Sequence, residues 1–235
     1  LLKIDREKLY TINHMGDMMI AVRHGDLPVK KGEKLAGTRI IPLVIEKEKM
    51  EKAKEAVNGE SILKLLPFHP KKTAIVTTGN EVFYGRIKDT FGPVVRDKVA
   101  EYDWEEIGQV YCDDKKEHIT KEIQKFVEEG AELILCTGGM SVDPDDCTPG
   151  AIRDTGAKIV TYGAPVLPGA MLLLSYLKNK EGKTVTIVGL PGCVMYAKRT
   201  IFDLVLPRII ADDPIKKEEL DALGEGGLCL NCDVC

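Results

Sequence analysis

Short apolar runs separated by glycine and proline open the chain. Met18-Met19-Ile20-Ala21-Val22 and Ile40-Ile41-Pro42-Leu43-Val44-Ile45 are set off by Gly25, Pro28, Gly32 and Gly37, the punctuation of strands and turns. The pattern predicts a small β module over residues 1–46. Acids and lysines alternate at helical spacing over 46–57 and stop at Asn58-Gly59, which predicts a solvated connecting helix. Pro67-Phe68-His69-Pro70 reads as an extended hinge, because each proline disfavours helix in the residue before it. Residues 47–70 are thus read as helix and linker, with a boundary near 70.

From there the pattern alternates. Strands are predicted at 73–78, 107–112 and 133–136, with helices at 88–101, 115–129 and 148–154, an order that predicts a mainly parallel sheet covered on both faces. The order then changes: 158–161, 171–177 and 184–188 all read as strands, the last two joined through Lys180-Glu181-Gly182-Lys183 as a hairpin, giving the sheet an antiparallel edge. Ile201, Leu204, Val205, Ile209 and Ile210 recur at helical spacing, so 194–211 reads as a closing helix despite Pro207.

Composition narrows the function. The 235 residues carry 33 Lys+Arg against 37 Asp+Glu, a net charge of −4, which excludes a nucleic-acid binder resting on bulk charge. With 44% hydrophobic and 30% charged residues the chain can bury a real core. No apolar run approaches the roughly 20 residues of a membrane helix, so no membrane partner is expected. The chain starts at Leu1 with nothing resembling a signal peptide, and it is read as an excised fragment. Cys112, Cys136, Cys147 and Cys193 are dispersed through apparent α/β segments, the usage of a cytoplasmic protein. His14, His24, His69 and His118 lack metal-like spacing, and Met15, Met18 and Met19 read as core filler.

Three predicted strands end in glycine-containing loops: Thr77-Thr78-Gly79-Asn80-Glu81, Cys136-Thr137-Gly138-Gly139-Met140-Ser141 and Gly189-Leu190-Pro191-Gly192-Cys193. In an open α/β sheet such loops converge on one ligand crevice. Glycines let amides approach an anion, and Thr137 and Ser141 add hydroxyls. Neither the Walker nor the dinucleotide fingerprint is present. Asp143, Asp145 and Asp146 precede Thr148-Pro149, a predicted helix start with Thr148 as N-cap. A carboxylate beside bound phosphate needs a bridging cation, so Mg²⁺ held by Asp146 with Glu81 is expected. Asp143 and Asp145 read as helix N-terminal acids.

Thr137-Gly138-Gly139-Met140-Ser141 through Asp146-Cys147-Thr148-Pro149 resembles the molybdopterin-binding signature of molybdenum-cofactor biosynthesis proteins of the MoaB/Mog fold. Thr78-Gly79-Asn80-Glu81, followed by Gly85-Arg86-Ile87-Lys88-Asp89, resembles the first substrate loop of the molybdopterin molybdotransferase (MoeA-like) branch. Val166-Leu167-Pro168-Gly169 and Gly189-Leu190-Pro191-Gly192 fall where that branch has two Pro-Gly loops. The resemblance covers residues 71–211. It implies a three-layer α/β/α molybdopterin-binding domain over 71–213, and a reaction in which adenylylated molybdopterin and molybdate give cofactor and AMP with divalent metal. It further implies that Glu81 and Asp146 serve metal or substrate as catalytic groups. Thr78, Gly79, Asn80, Thr137, Gly138, Gly139, Ser141 and Thr148 would line the pterin and its phosphate, and Pro168, Gly169, Pro191 and Gly192 would wall the pocket. The family also implies a homo-oligomer.

The departures bear on chemistry. Asn80 stands where the transferases have Asp, Phe91 where they have Asn, Leu167 and Ala170 where they have lysines, and Cys193-Val194 where they have Asn-Pro. Loss of two cations weakens phosphate or molybdate binding by about 1 to 3 kcal/mol each if partly buried, favouring pterin binding over metal insertion. Two other readings stay open: a non-catalytic pterin carrier or sensor, and a competence-damage-type pyrophosphatase of the same fold. Over residues 214–235 the tail ends in Cys229, Cys232 and Cys235, a C-x-x-C-x-x-C run read as three ligands of zinc or an iron–sulfur cluster, with a fourth from Cys193, another chain or later sequence.

Overall fold

A computed structural model describes residues 1–141, 143 and 146–229. The chain divides into two units, one of residues 1–68 and one from His69 onward.

In the first unit, β1 (Leu2–Ile4), α1 (Arg6–His14), β2 (Met18–Val22), β3 (Ala36–Ile40), α2 (Lys47–Val57) and β4 (Leu63–Leu65) follow in order, with β1 antiparallel to β4 and β2 to β3. The helix α1 is absent from the sequence reading. Asp5 caps it, accepting from Lys8 N at 3.0 Å. Nor is α2 merely solvated, because Ala53 is buried in a small core with Ile12 and Met18.

The second unit contains β5 (Lys72–Thr78), α3 (Asn80–Phe83), α4 (Phe91–Val99), β6 (Glu105–Cys112), α5 (Lys116–Glu128), β7 (Leu133–Thr137), α6 (Thr148–Asp154), β8 (Lys158–Tyr162), β9 (Leu173–Lys178), β10 (Thr184–Leu190), α7 (Ile201–Ile210) and α8 (Lys217–Asp221). Among the described residues a six-stranded sheet runs β6-β5-β7-β10-β9-β8. The first four are mutually parallel, while β9 is antiparallel to both its neighbours.

Alternation along the strands builds both faces. Ala74, Val76, Ile134, Cys136 and Ile187 pack with Ile119, Ile123 and Phe126 of α5 and Ile152 of α6. The intervening Ile75, Leu133, Leu135 and Val188 are fully buried as well. On their side lies α4, tied to α7 by a buried ion pair: Lys98 Nζ donates to Asp203 Oδ1 at 2.8 Å and Oδ2 at 2.9 Å. The closing helix starts later than its apolar pattern predicts. Residues Gly192–Met195 form a 3-10 turn, and α7 begins at a capping box in which Thr200 and Asp203 satisfy each other's backbone amides. Among the described residues no helix is long and apolar enough to cross a membrane.

Candidate functional site

Because β5, β6, β7 and β10 are parallel, their carboxyl ends Thr78, Cys112, Thr137 and Leu190 share one edge of the sheet. The reversed β9 begins at that edge, so the loop before it arrives there too. The loops after β7 and β10 and the loop before β9 border a cleft of about 460 Å³ lined by residues 138–141, 167–171 and 190–193 together with Phe91, and the loops directly after β5 and β6 do not line it. It contains Gly138, Gly139, Ser141, Pro168, Gly169, Pro191 and Gly192 of the sequence-derived site.

Beneath it the strand ends are locked by threonines. Thr78 Oγ1 donates to Thr137 O at 3.2 Å and lies 3.0 Å from Thr148 Oγ1, which donates to Gly138 O at 2.9 Å. Thr137 is fully buried and its hydroxyl donates to Thr77 Oγ1 at 3.2 Å. Thr78, Thr137 and Thr148 thus support the cleft floor rather than face a ligand. Thr148 is also not the N-cap of α6: Cys147 occupies that position, and the Thr148 hydroxyl is committed to the floor. Gly138 has φ +87°, and a Cβ there would overlap Thr78 O. Glycine is therefore required at this close approach.

The side wall is held from behind by Asp89. Its carboxylate accepts from Phe91 N at 2.9 Å, Gly92 N at 3.1 Å, Gln109 Nε2 at 2.7 Å and Tyr111 OH at 3.3 Å. Gln109 Nε2 also donates to Thr77 Oγ1 at 2.9 Å, and Arg96 Nη2 donates to Gln109 Oε1 at 2.9 Å. The network fixes the start of α4 and seats Phe91 in the cleft. Sequence reasoning missed Gln109 and Tyr111, and their one signal is that Asp89 stands just ahead of the amides of a helix start.

At the mouth, Ser141 Oγ donates to Asp146 Oδ2 at 2.6 Å and Tyr162 OH donates to Ser141 O at 3.1 Å. Burial and the nearby Asp146 carboxylate push the Tyr162 phenol up. Gly79 caps α3, and Asn80 N donates to Asp114 Oδ2 at 2.9 Å. Glu81 is exposed within α3, and nothing described joins its carboxylate to Asp146. Among the described residues no three His, Cys, Asp or Glu side chains group as a metal site. Cys232 and Cys235, like Asp145, lie outside the described residues. Cys229 N donates to Leu167 O at 2.8 Å and Leu167 N to Gly227 O at 2.7 Å, so residues 227–229 run along the cleft wall. The other side of that wall is fixed by Ile201 N donating to Pro168 O at 3.3 Å.

Residues 74–211 match the family described as "Probable molybdopterin binding domain". The chain belongs to this molybdopterin-binding family. A CinA-like protein of Mycobacterium tuberculosis is 34% identical over 77 residues, 33% of this chain and 18% of that protein. The match with such curated relatives thus spans under a fifth of their length. MoaB of Thermus thermophilus, titled a molybdopterin biosynthesis enzyme, has a TM-score of 0.48 at 22% identity, covering 62% of this chain and 99% of that one. MoaB of Pyrococcus furiosus, titled a tungsten cofactor synthesizing protein, has a TM-score of 0.47 at 16% identity, covering 67% of this chain and 97% of that one.

Proposed function

We propose that the protein binds the pterin of molybdopterin in the cleft at the carboxyl ends of β7 and β10, as a molybdotransferase-related component of molybdenum-cofactor biosynthesis. The observation that carries this reading is the meeting of the 138–141, 167–171 and 190–193 loops around one cleft within a chain of the molybdopterin-binding family. A ligand pocket at the carboxyl ends of a parallel sheet is where this architecture places ligands. The cleft residues position the ring, Phe91 and Leu167 exclude water from its faces, and Asp146 at the mouth offers one carboxylate toward a metal-bridged oxyanion. Mg²⁺ commonly takes one or two protein carboxylates and completes its shell with water and substrate oxygens, which the single Asp146 fits. Bound there, it would offset the charge of a transferring oxyanion.

The second reading, a competence-damage-type pyrophosphatase, is favoured by the similarity to CinA-like proteins. Calorimetric titration with molybdopterin and its adenylylated form, with and without Mg²⁺, followed by molybdate addition and an assay for AMP, separates the outcomes. AMP release dependent on molybdate supports the transferase, and binding without release supports a carrier. Cleavage of a dinucleotide or nucleotide sugar supports the pyrophosphatase, and absence of any pterin binding overturns the proposal.

A further inference from the structure

The lining of the cleft departs from the chemistry its loops would suit. Of the residues around it, none of those described is Lys, Arg, His, Asp or Glu. One hydroxyl, Ser141 Oγ, and one thiol, that of Cys193, are its side-chain polar groups. The Ser141 hydroxyl is already committed to Asp146, and burial pushes the Cys193 thiol up, keeping it neutral. The rest is apolar: Phe91, Met140, Leu167, Met171 and Leu190.

The wall cannot be exchanged for a basic one by moving. Leu167 is held through both its amide and its carbonyl by residues 227 and 229, and Ala164 N donates to Ala170 O at 2.9 Å. Gly169 packs so closely on Ile201 that a Cβ would lie 2.7 Å from Cγ2. A phosphate entering this cleft would lose water, meet no cation and lie near the Asp146 carboxylate, a combination that electrostatics opposes.

We infer that, without a bound divalent cation, the cleft recognises only the uncharged heteroaromatic ring of its ligand, with the phosphate-bearing arm left in solvent and adding no affinity. The inference rests on the pterin reading and specifies it further: amides of the glycine-rich loops read the ring edge, apolar side chains cover its faces, and Leu167 and Ala170 set indifference to phosphate. A volume of about 460 Å³ suits one bicyclic ring with short arms.

The test is calorimetric titration of the full chain, in buffer free of divalent cations, with 6-hydroxymethylpterin and with its phosphate monoester, at about 50 and 500 mM NaCl, where charge screening differs strongly. The two are expected to bind within about threefold of each other, with less than about twofold dependence on salt, as for contacts without ion pairing. A phosphate ester bound about tenfold or more tightly, with affinity falling as salt rises, overturns the inference while leaving pterin binding intact. If neither ligand binds, the pterin reading itself fails. A folded Leu167→Lys, Ala170→Lys double variant should gain about tenfold for the ester relative to the neutral pterin at low salt, whatever the loss of the Leu167 contact costs both ligands. A folded variant without that gain overturns the role of these two positions, and the comparison on the unmodified chain decides the inference if the variant does not fold.

Discussion

The hydroxyls of Thr78 and Thr148 lie 3.0 Å apart and join the end of β5 to the start of α6 directly beneath Gly138. The glycine-rich loop is thereby held by side chains from two elements distant in sequence. Thr148→Val keeps the volume but strips the half-buried Gly138 O of its donor, an expected loss of about 1 kcal/mol, at the low end of the cost of an unpaired buried group. Urea unfolding should show that loss, and a pterin titration a weaker affinity.

Gly138→Ala places a Cβ against Thr78 O with a positive φ. Strain of this kind costs about 1–3 kcal/mol before the clash is counted. Gly182 has φ +79° with nothing within 4 Å, so Gly182→Ala should cost only about 1 kcal/mol. Thermal unfolding of both variants separates overlap from conformation alone, and equal losses would refute the crowding at Gly138.

Lys98 and Asp203 are a buried pair, 9% and 7% exposed. Asp203→Asn leaves the ammonium without its counter-charge and weakens the capping box at Thr200, an expected loss of about 3–5 kcal/mol. As Ile201 N supports Pro168 O, ligand affinity should fall as well, which calorimetry would detect.

Burial pushes the Cys112 thiol up to about 12. At pH 8 only about one molecule in ten thousand carries the thiolate, so iodoacetamide should label Cys112 only after denaturation. The raised value also sets a sign. The unfolded thiol ionises near pH 8.5 and the folded one near 12, so this contribution is complete below about 8.5 and is lost as pH rises toward 12. Chemical unfolding at pH 7 and 10 should show the decline, smaller in Cys112→Ala.

Asp146→Asn retains the Ser141 contact partner but removes the charge. If Asp146 contributes to Mg²⁺ in the ligand complex, the Mg²⁺ dependence of binding should disappear while metal-free affinity changes little. Unchanged Mg²⁺ dependence would remove Asp146 from that role.

The parallel sheet was legible because β5, β7 and β10 are buried almost throughout, the mark of cover on both faces, whereas the edge strand β6 is more polar and only half-buried. The elements that escaped had weak or competing signals. Helix α1 buries only Ile12, too little for a helical period, and the inward side of α2 is marked by a small residue, Ala53. At α7 the apolar run begins early, whereas the Thr200 to Asp203 spacing of a capping box marks the actual start. Of the three glycine-containing loops read from the sequence, those at 136–141 and 189–193 line the cleft and the one at 77–81 does not, and sequence cannot tell that Thr137 and Thr148 point under the floor, nor that Gln109 reaches Asp89 from the neighbouring strand. Those facts depend on strand register.

The reversal of β9 has a consequence for the wall of the cleft. Residues 163–172 are the tip of a hairpin between β8 and β9, closed where Gly163 N donates to Leu172 O at 2.8 Å. The glycine-rich loop, by contrast, is welded into the parallel core. The wall of the cleft is nonetheless pinned by residues 227–229 on one side and by the start of α7 on the other, so its length is constrained and its charge is set by the side chains at 167 and 170 on a backbone that stays put.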